Sequence, residues 1–448
     1  MRLGTVLTGL GVTLLSISAV VAALSVLGRD EGGHRAATVA PQSAMQAGAV
    51  TNEVIAFFQG RVERDPVDFI SYTKLGEAYM RQARETGDIS AYQRAEVAFD
   101  KARELFPDHL EAQAGLASVR FSLHDFRGAL ELATAVYEAD PGATQALAVI
   151  ADAHLALGEY NEAAGWYGQL DVEVDGPAID SRMAQLAFLR GDTDGAIDLM
   201  KRAAEDADVR GRSAESLAWY RTQLAELYLG AGDYDHAERW YSEALAGFDG
   251  YYPALAGLGA VEAARGHDRE AIDYYERAVA IVPSPLHLAA LGDLYMRTGD
   301  SQAAQKQYDT VEFIGHLAEI NRTVYNRELA VFYADHHTNT AQAVELAMRE
   351  LDARRDVYGY DTVAWALYAD GRADEALPYV EQALSLGTED ARLLFHAGMI
   401  MRAKGDHDRA RALLDRALEI NPHFSVLHED EARQALAALE RGDERAER

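Results

Sequence analysis

The chain has 448 residues, 72 acidic against 42 basic, and a formal net charge of −30. Such a surface keeps an elongated body soluble and argues against sequence-independent nucleic-acid binding, which needs Lys and Arg to displace phosphate counterions. The absence of cysteine removes disulfides, thiolate nucleophiles and Cys-based zinc sites, and a composition rich in Ala, Leu, Glu and Arg with only ten prolines makes all-α the expected fold class.

No charged residue occurs from Leu3 to Gly28, a run longer than the roughly 20 residues a helix needs to cross a bilayer core. Two readings of residues 1–28 stay open: a retained signal anchor, or a secretory peptide with Val21 and Ala23 at its cleavage site. The stretch exceeds the roughly 7–15 residues of a usual signal-peptide core, which favours the anchor. Arg2 precedes the run, and Arg29 and Arg35 follow it, so basic residues alone do not set its orientation. A short tail before one apolar segment is the usual export arrangement, which places the bulk of the chain outside the cytoplasm. Residues 29–48 mix Gly, Ala, Ser, Thr, Gln and Pro without periodicity and read as a flexible linker. Residues 49–66 read as a capping helix that ends at Pro66.

Beyond this point alanines recur at Ala95, Ala129, Ala163, Ala196, Ala237, Ala271, Ala304, Ala343, Ala376 and Ala410, with steps of 33 or 34 residues apart from one of 41 and one of 39. Seven have a glycine five positions earlier, as in GEYNEA (158–163) and GDHDRA (405–410). The glycine ends one helix in the left-handed conformation, and the alanine sits where the next helix crosses it closely. Bulky residues four positions on, such as Phe99, Tyr167, Tyr241 and Leu414, share the alanine's helical face. Pro107, Pro141, Pro283 and Pro422 follow at offset 12 and stop the second helix.

This pattern resembles the tetratricopeptide repeat family, whose unit is a 34-residue pair of antiparallel helices. The small residue of its first helix corresponds to Gly76, Ala117, Ala151, Ala225, Gly259, Gly292, Ala364 and Gly398, and residues 255–283 (LAGLGAVEAARGHDREAIDYYERAVAIVP) fill almost every signature position. The resemblance implies a right-handed α-solenoid of about ten helical hairpins over residues 67–422, behind the N-terminal hydrophobic helix. The repeats fall at about 67–107, 108–141, 142–175, 176–208, 216–249, 250–283, 284–316, 322–355, 356–388 and 389–422, with the extra residues of the two long steps breaking the register near 205–215 and 311–322. Residues 423–448 are expected to form a C-terminal capping helix and tail, since stacked arrays need polar ends.

Nothing in the sequence points to catalysis. It has no phosphate-binding loop and no nucleophile elbow, and His336 and His337 are adjacent, not spaced i, i+4 as two helical metal ligands need. No enzyme activity, cofactor or metal is expected. Family resemblance implies that the first helix of each hairpin lines a concave groove. Positions one, four and five after the small residue then give Glu77, Met80, Arg81, Phe121, Gln185, Phe188, Asp293, Met296, Arg297, Trp365, Tyr368, Met399 and Arg402 as candidate binding residues. Apolar anchors among charges suit a peptide or helix of a protein partner. The chaperone-adaptor branch of the family grips a terminal carboxylate with Lys and Asn; here Glu77, Ser118, Asp152 and Gln185 stand at the corresponding position, so that clamp is not expected. A repeat-bearing enzyme is a third reading, but the ladder leaves no span of roughly 100 residues for a catalytic domain; the expected function is a membrane-tethered scaffold, its array extracytoplasmic, that holds an envelope protein, and the competing reading is a secreted ligand-binding protein. The size of the mature protein separates the two: the anchor predicts an intact chain by mass spectrometry, and a loss of about 25 residues would mean a cleaved leader.

Overall fold

The computed structural model describes residues 42–321 and 326–446. The apolar run at residues 3–28 lies outside them. Among the described residues there are 22 helices and no strand, and no helix is long and apolar enough to cross a membrane.

Helix α1 (Gln42–Arg64) packs on the first of ten antiparallel hairpins. The first five hairpins are α2 (Phe69–Thr86) with α3 (Ile89–Leu105), α4 (Leu110–Ser122) with α5 (Phe126–Ala139), α6 (Thr144–Ala156) with α7 (Tyr160–Glu173), α8 (Pro177–Leu189) with α9 (Thr193–Val209), and α10 (Ala214–Gly230) with α11 (Tyr234–Gly247). The second five are α12 (Tyr252–Ala264) with α13 (Asp268–Ile281), α14 (Pro285–Thr298) with α15 (Ser301–Asn321), α16 (Asn326–Asp335) with α17 (Thr340–Ala353), α18 (Val357–Ala369) with α19 (Ala373–Ala383), and α20 (Ala391–Ala403) with α21 (His407–Ile420). Helix α22 (Glu429–Ala446) closes the stack against α21. Helix α1 begins directly after Pro41, inside the stretch expected as linker. Its opening QSAMQAG is rich in good helix formers, and the proline before it is compatible with a helix start. The two long alanine steps are taken up by extra helical turns, in α9 and α10 of 17 residues each and in α15 of 21 residues.

Each hairpin turn joins a helix stop to a helix start. Gly191, Gly232 and Gly405 have positive φ, and the aspartate after each accepts a hydrogen bond from the backbone N–H three residues on: Asp192 from Gly195, Asp233 from His236 and Asp406 from Arg409. The glycine terminates the first helix and the aspartate caps the second. All ten recurrent alanines are completely buried. The small residue of the first helix is required by the bulky residue four positions after the alanine. A Cβ on Gly76 would lie 2.8 Å from the Phe99 ring, and one on Gly398 would lie 2.8 Å from Leu414.

The hairpins wind so tightly that the first five touch the second five sideways. Arg355 N–H, in the connection between the eighth and ninth hairpins, donates to the Ala156 carbonyl at the end of α6 (3.0 Å). Thr388 Oγ1 donates to the Leu189 carbonyl (2.6 Å), and Asn421 Nδ2 donates to the Leu229 carbonyl (2.9 Å). Val357 N–H donates to the Tyr160 hydroxyl (2.8 Å), and the Tyr234 hydroxyl donates to Asn421 Oδ1 (2.6 Å). In the first hairpin Gly87 abuts Val282 of the connection after the sixth, and in the second Phe126 lies beneath the Arg354 guanidinium. Turns of the first five hairpins thus rest on later connections, and carbonyls left over at three helix ends find donors there.

The turn glycines of the sixth, seventh, ninth and tenth hairpins, Gly266, Gly299, Gly371 and Gly405, have no such neighbours among the described residues. A Cβ on Gly158 would overlap the Arg355 carbonyl oxygen and one on Gly191 the Gly387 carbonyl oxygen, whereas Gly371 and Gly405 have nothing within 4 Å. All four have φ between +76 and +79°, so the backbone strain of an added Cβ is the same. Gly371→Ala is expected to cost about 1 kcal/mol, and Gly158→Ala at least about 2 kcal/mol more, because the docked connection must move. Denaturant unfolding of the two variants checks this difference.

Candidate partner cavity

The tight winding leaves a cavity of about 500 Å³ lined by the first helices of seven successive hairpins, α8, α10, α12, α14, α16, α18 and α20. Phe188, Trp219, Leu227 and Phe424 form apolar walls. This size and apolar character are those of a ligand site. A second cavity, of about 150 Å³, lies beside it and shares Arg392 and Phe424.

Polar groups in the larger cavity are held from behind. Arg182 meets Asp152 in a two-pronged pair, Nε to Oδ1 and Nη2 to Oδ2, each 2.8 Å, and Asp152 also accepts from the Tyr167 hydroxyl (2.9 Å). Both charged side chains are almost wholly buried, so this network fixes α6, α7 and α8 to one another. Arg327 pairs with Asp356 (2.7 Å). Glu226, on α10, accepts from Gln223 Nε2 (2.8 Å), and burial pushes its carboxyl up to about 8. Burial, reinforced by the Glu350 carboxylate, pushes Glu328 up to about 7. Burial also pulls His287 down to about 4.

The segment after α21 contributes Asn421 and Phe424 to one wall. Phe424 packs on Phe395 with ring centroids 5.2 Å apart, and Val426 enters the core of the sixth and seventh hairpins. His428 donates to Asp335 (3.1 Å), which also accepts from Trp365 Nε1 (2.7 Å). Burial opposes the charge on His428, but the carboxylates of Asp335 and Glu431 outweigh it and hold the imidazolium up to about 9.

The candidate residues from the sequence fall into several environments. Gln185 and Phe188 line the larger cavity; Asp293 and Arg297 line the smaller. Asp293 accepts from the Tyr308 hydroxyl and from His336 Nε2, both at 2.8 Å, and Arg297 pairs with Asp268. Met80, Phe121, Trp365 and Met399 are buried between helices. Trp365 stacks on His396, and half-buried Tyr368 stacks on Trp365. Glu77, paired with Lys74 (2.9 Å), and Arg81, Met296 and Arg402 are exposed and line neither cavity. Glu226 was within reach of the same offset, one position after Ala225. Arg327 and Glu328 follow directly on the break in register, which hides them. Among the described residues no cluster of three or more His, Asp or Glu is arranged to hold a metal ion.

Matches to the tetratricopeptide repeat family fall on residues 120–186, 177–249, 222–284 and 364–423, together about half of the chain. The chain belongs to the tetratricopeptide repeat family. It is 27% identical over 229 residues to the human protein O-mannosyl-transferase TMTC1, a match that spans half of this chain but only a quarter of that protein. Similar solved structures include the APC/C hetero-tetramer Cut9-Hcn1 (14% identity, 89% of this chain and 94% of that chain, TM-score 0.32). MamA (21% identity, 37% and 94%, TM-score 0.30) and BtubC from P. vanneervenii (22% identity, 47% and 92%, TM-score 0.37) are others. At such identities and TM-scores these likenesses carry no further argument.

A carboxyl whose pKa is raised by folding contributes stability that is complete below its unfolded pKa of about 4.3 and lost as pH rises through the folded value. For Glu226 that window runs to about 8. Glu226→Gln cannot ionise, so its advantage in melting temperature over the native chain is expected to widen from pH 5 to pH 9. Thermal denaturation across that range tests it.

Proposed function

We propose that this protein is a non-catalytic scaffold that holds a segment of another protein in the cavity inside its superhelix. The observation that carries this reading is the convergence of seven first helices on one apolar cavity whose walls present Gln185, Glu226, Glu328 and Arg392. Apolar walls supply most of the binding free energy, and a few placed polar groups select the occupant. Repeat arrays bind through such inner surfaces.

The uncharged run from Leu3 to Gly28 supports a membrane-tethered, extracytoplasmic placement and an envelope protein as partner. A secreted form is the alternative if that run is removed. Glycosyl transfer has support only in the partial match to the human transferase, so binding is the preferred reading.

A photo-crosslinking residue at Phe188, inside the cavity, is expected to trap a discrete adduct in intact cells. The same residue at Val97, exposed elsewhere on the surface, is expected to trap none. Equal labelling from both positions would refute the cavity as the partner site.

A further inference from the structure

Ion pairing in the larger cavity is incomplete. Arg182 is committed to Asp152 and Arg327 to Asp356. Among the lining acids, Glu389 pairs with Arg416 (2.6 Å), Asp361 with His396 (3.0 Å), and Asp390 caps the start of α20. Glu226 and Glu328 form no ion pair among the described residues, and Arg392, which is exposed, is the lining arginine without a carboxylate partner. The cavity therefore holds two carboxyls without ion pairs, kept largely protonated near neutral pH by burial, in an environment where a counter-charge counts for more than in water, so that a cation placed between them would draw them into the ionised form.

A second observation points the same way. His287 is 7% exposed and lines the cavity. Its Nδ1 is buried without a hydrogen-bond partner, and its neighbours are the rings of Tyr252 and Tyr275. A buried polar group without a partner costs stability unless something satisfies it. Nδ1 itself has almost no accessible surface, so an occupant of the cavity would meet the imidazole ring beside it.

From these features we infer that the cavity receives a basic side chain of the partner, a lysine or arginine set among apolar residues, with Glu226 and Glu328 as its counter-charges and His287 as a polar contact. The inference rests on the reading of the cavity as the partner site. It assigns to two carboxyls without ion pairs the role of selecting the occupant, because a cation gains charge-assisted hydrogen bonds from them that a neutral or acidic peptide does not.

A randomised heptapeptide library displayed on phage and selected on the full chain tests it, with the Glu226→Gln/Glu328→Gln double variant as the counter-target. Selected sequences are expected to carry Lys or Arg beside Leu, Ile or Phe. A synthetic peptide of the consensus is expected to bind the native chain at least about tenfold more tightly than the double variant, and to lose a similar factor when its lysine is acetylated or its arginine replaced by citrulline. Circular dichroism of the isosteric double variant shows whether it has kept its helices. Enrichment of acidic or uncharged peptides that Ala260→Trp, which obstructs the cavity, still displaces would overturn the basic-occupant inference and leave the cavity as the partner site. Peptides that Ala260→Trp does not displace would overturn both. No enrichment over the double variant would also overturn the inference.

Discussion

Sideways contact between hairpins about 190–200 residues apart shapes this molecule more than any other interaction. A helix ends with carbonyls that lack partners inside the helix. In α6, α8 and α10 such carbonyls accept from Arg355, Thr388 and Asn421 respectively. The approach is possible because the turns concerned carry glycines, and a Cβ at Gly158 or Gly191 would occupy the space of a carbonyl oxygen on the other side. Once the two halves are in register, the first helices of the fourth to tenth hairpins line one shared cavity.

The interior shows how polar groups are tolerated in such a space. The buried Asp152–Arg182 pair contributes little net stability compared with an apolar pair of similar volume, yet loss of one partner would strand a charge at a cost of about 3–5 kcal/mol. Its value is therefore positional, tying three helices with directional bonds. The group formed by Trp365, Asp335 and His428 does the same for the segment leading into α22. Glu226 and Glu328 differ in kind: they sit on the inner wall and form no ion pair among the described residues.

Local features of this fold are legible in the sequence, and its closure is not. The recurrent alanines mark completely buried positions, the glycines mark left-handed turns, and the aspartates after them mark helix starts, because each depends on residues a few positions away. Extra residues in the long alanine steps become extra helical turns, which periodicity allows but does not choose over loops. The candidate groove residues scatter because the rule that selects them assumes an open concave surface. Winding turns Trp365 and Met399 into packing residues and brings Arg327 and Glu328 to the wall from a stretch where the repeat pattern lapses. Sequence separation hides the contact between Leu189 and Thr388, and no local pattern encodes it.

In an ordinary repeat array each module answers only to the one before and the one after, so stability is a sum of nearest-neighbour terms and the ends fray independently of the middle. The glycine-mediated seams change that arithmetic. Fraying of the ninth or tenth hairpin would also release the carbonyls of α8 and α10, near the midpoint of the chain. Melting here is coupled across half the sequence, and closure must wait for contacts of high sequence separation, which form late and slowly.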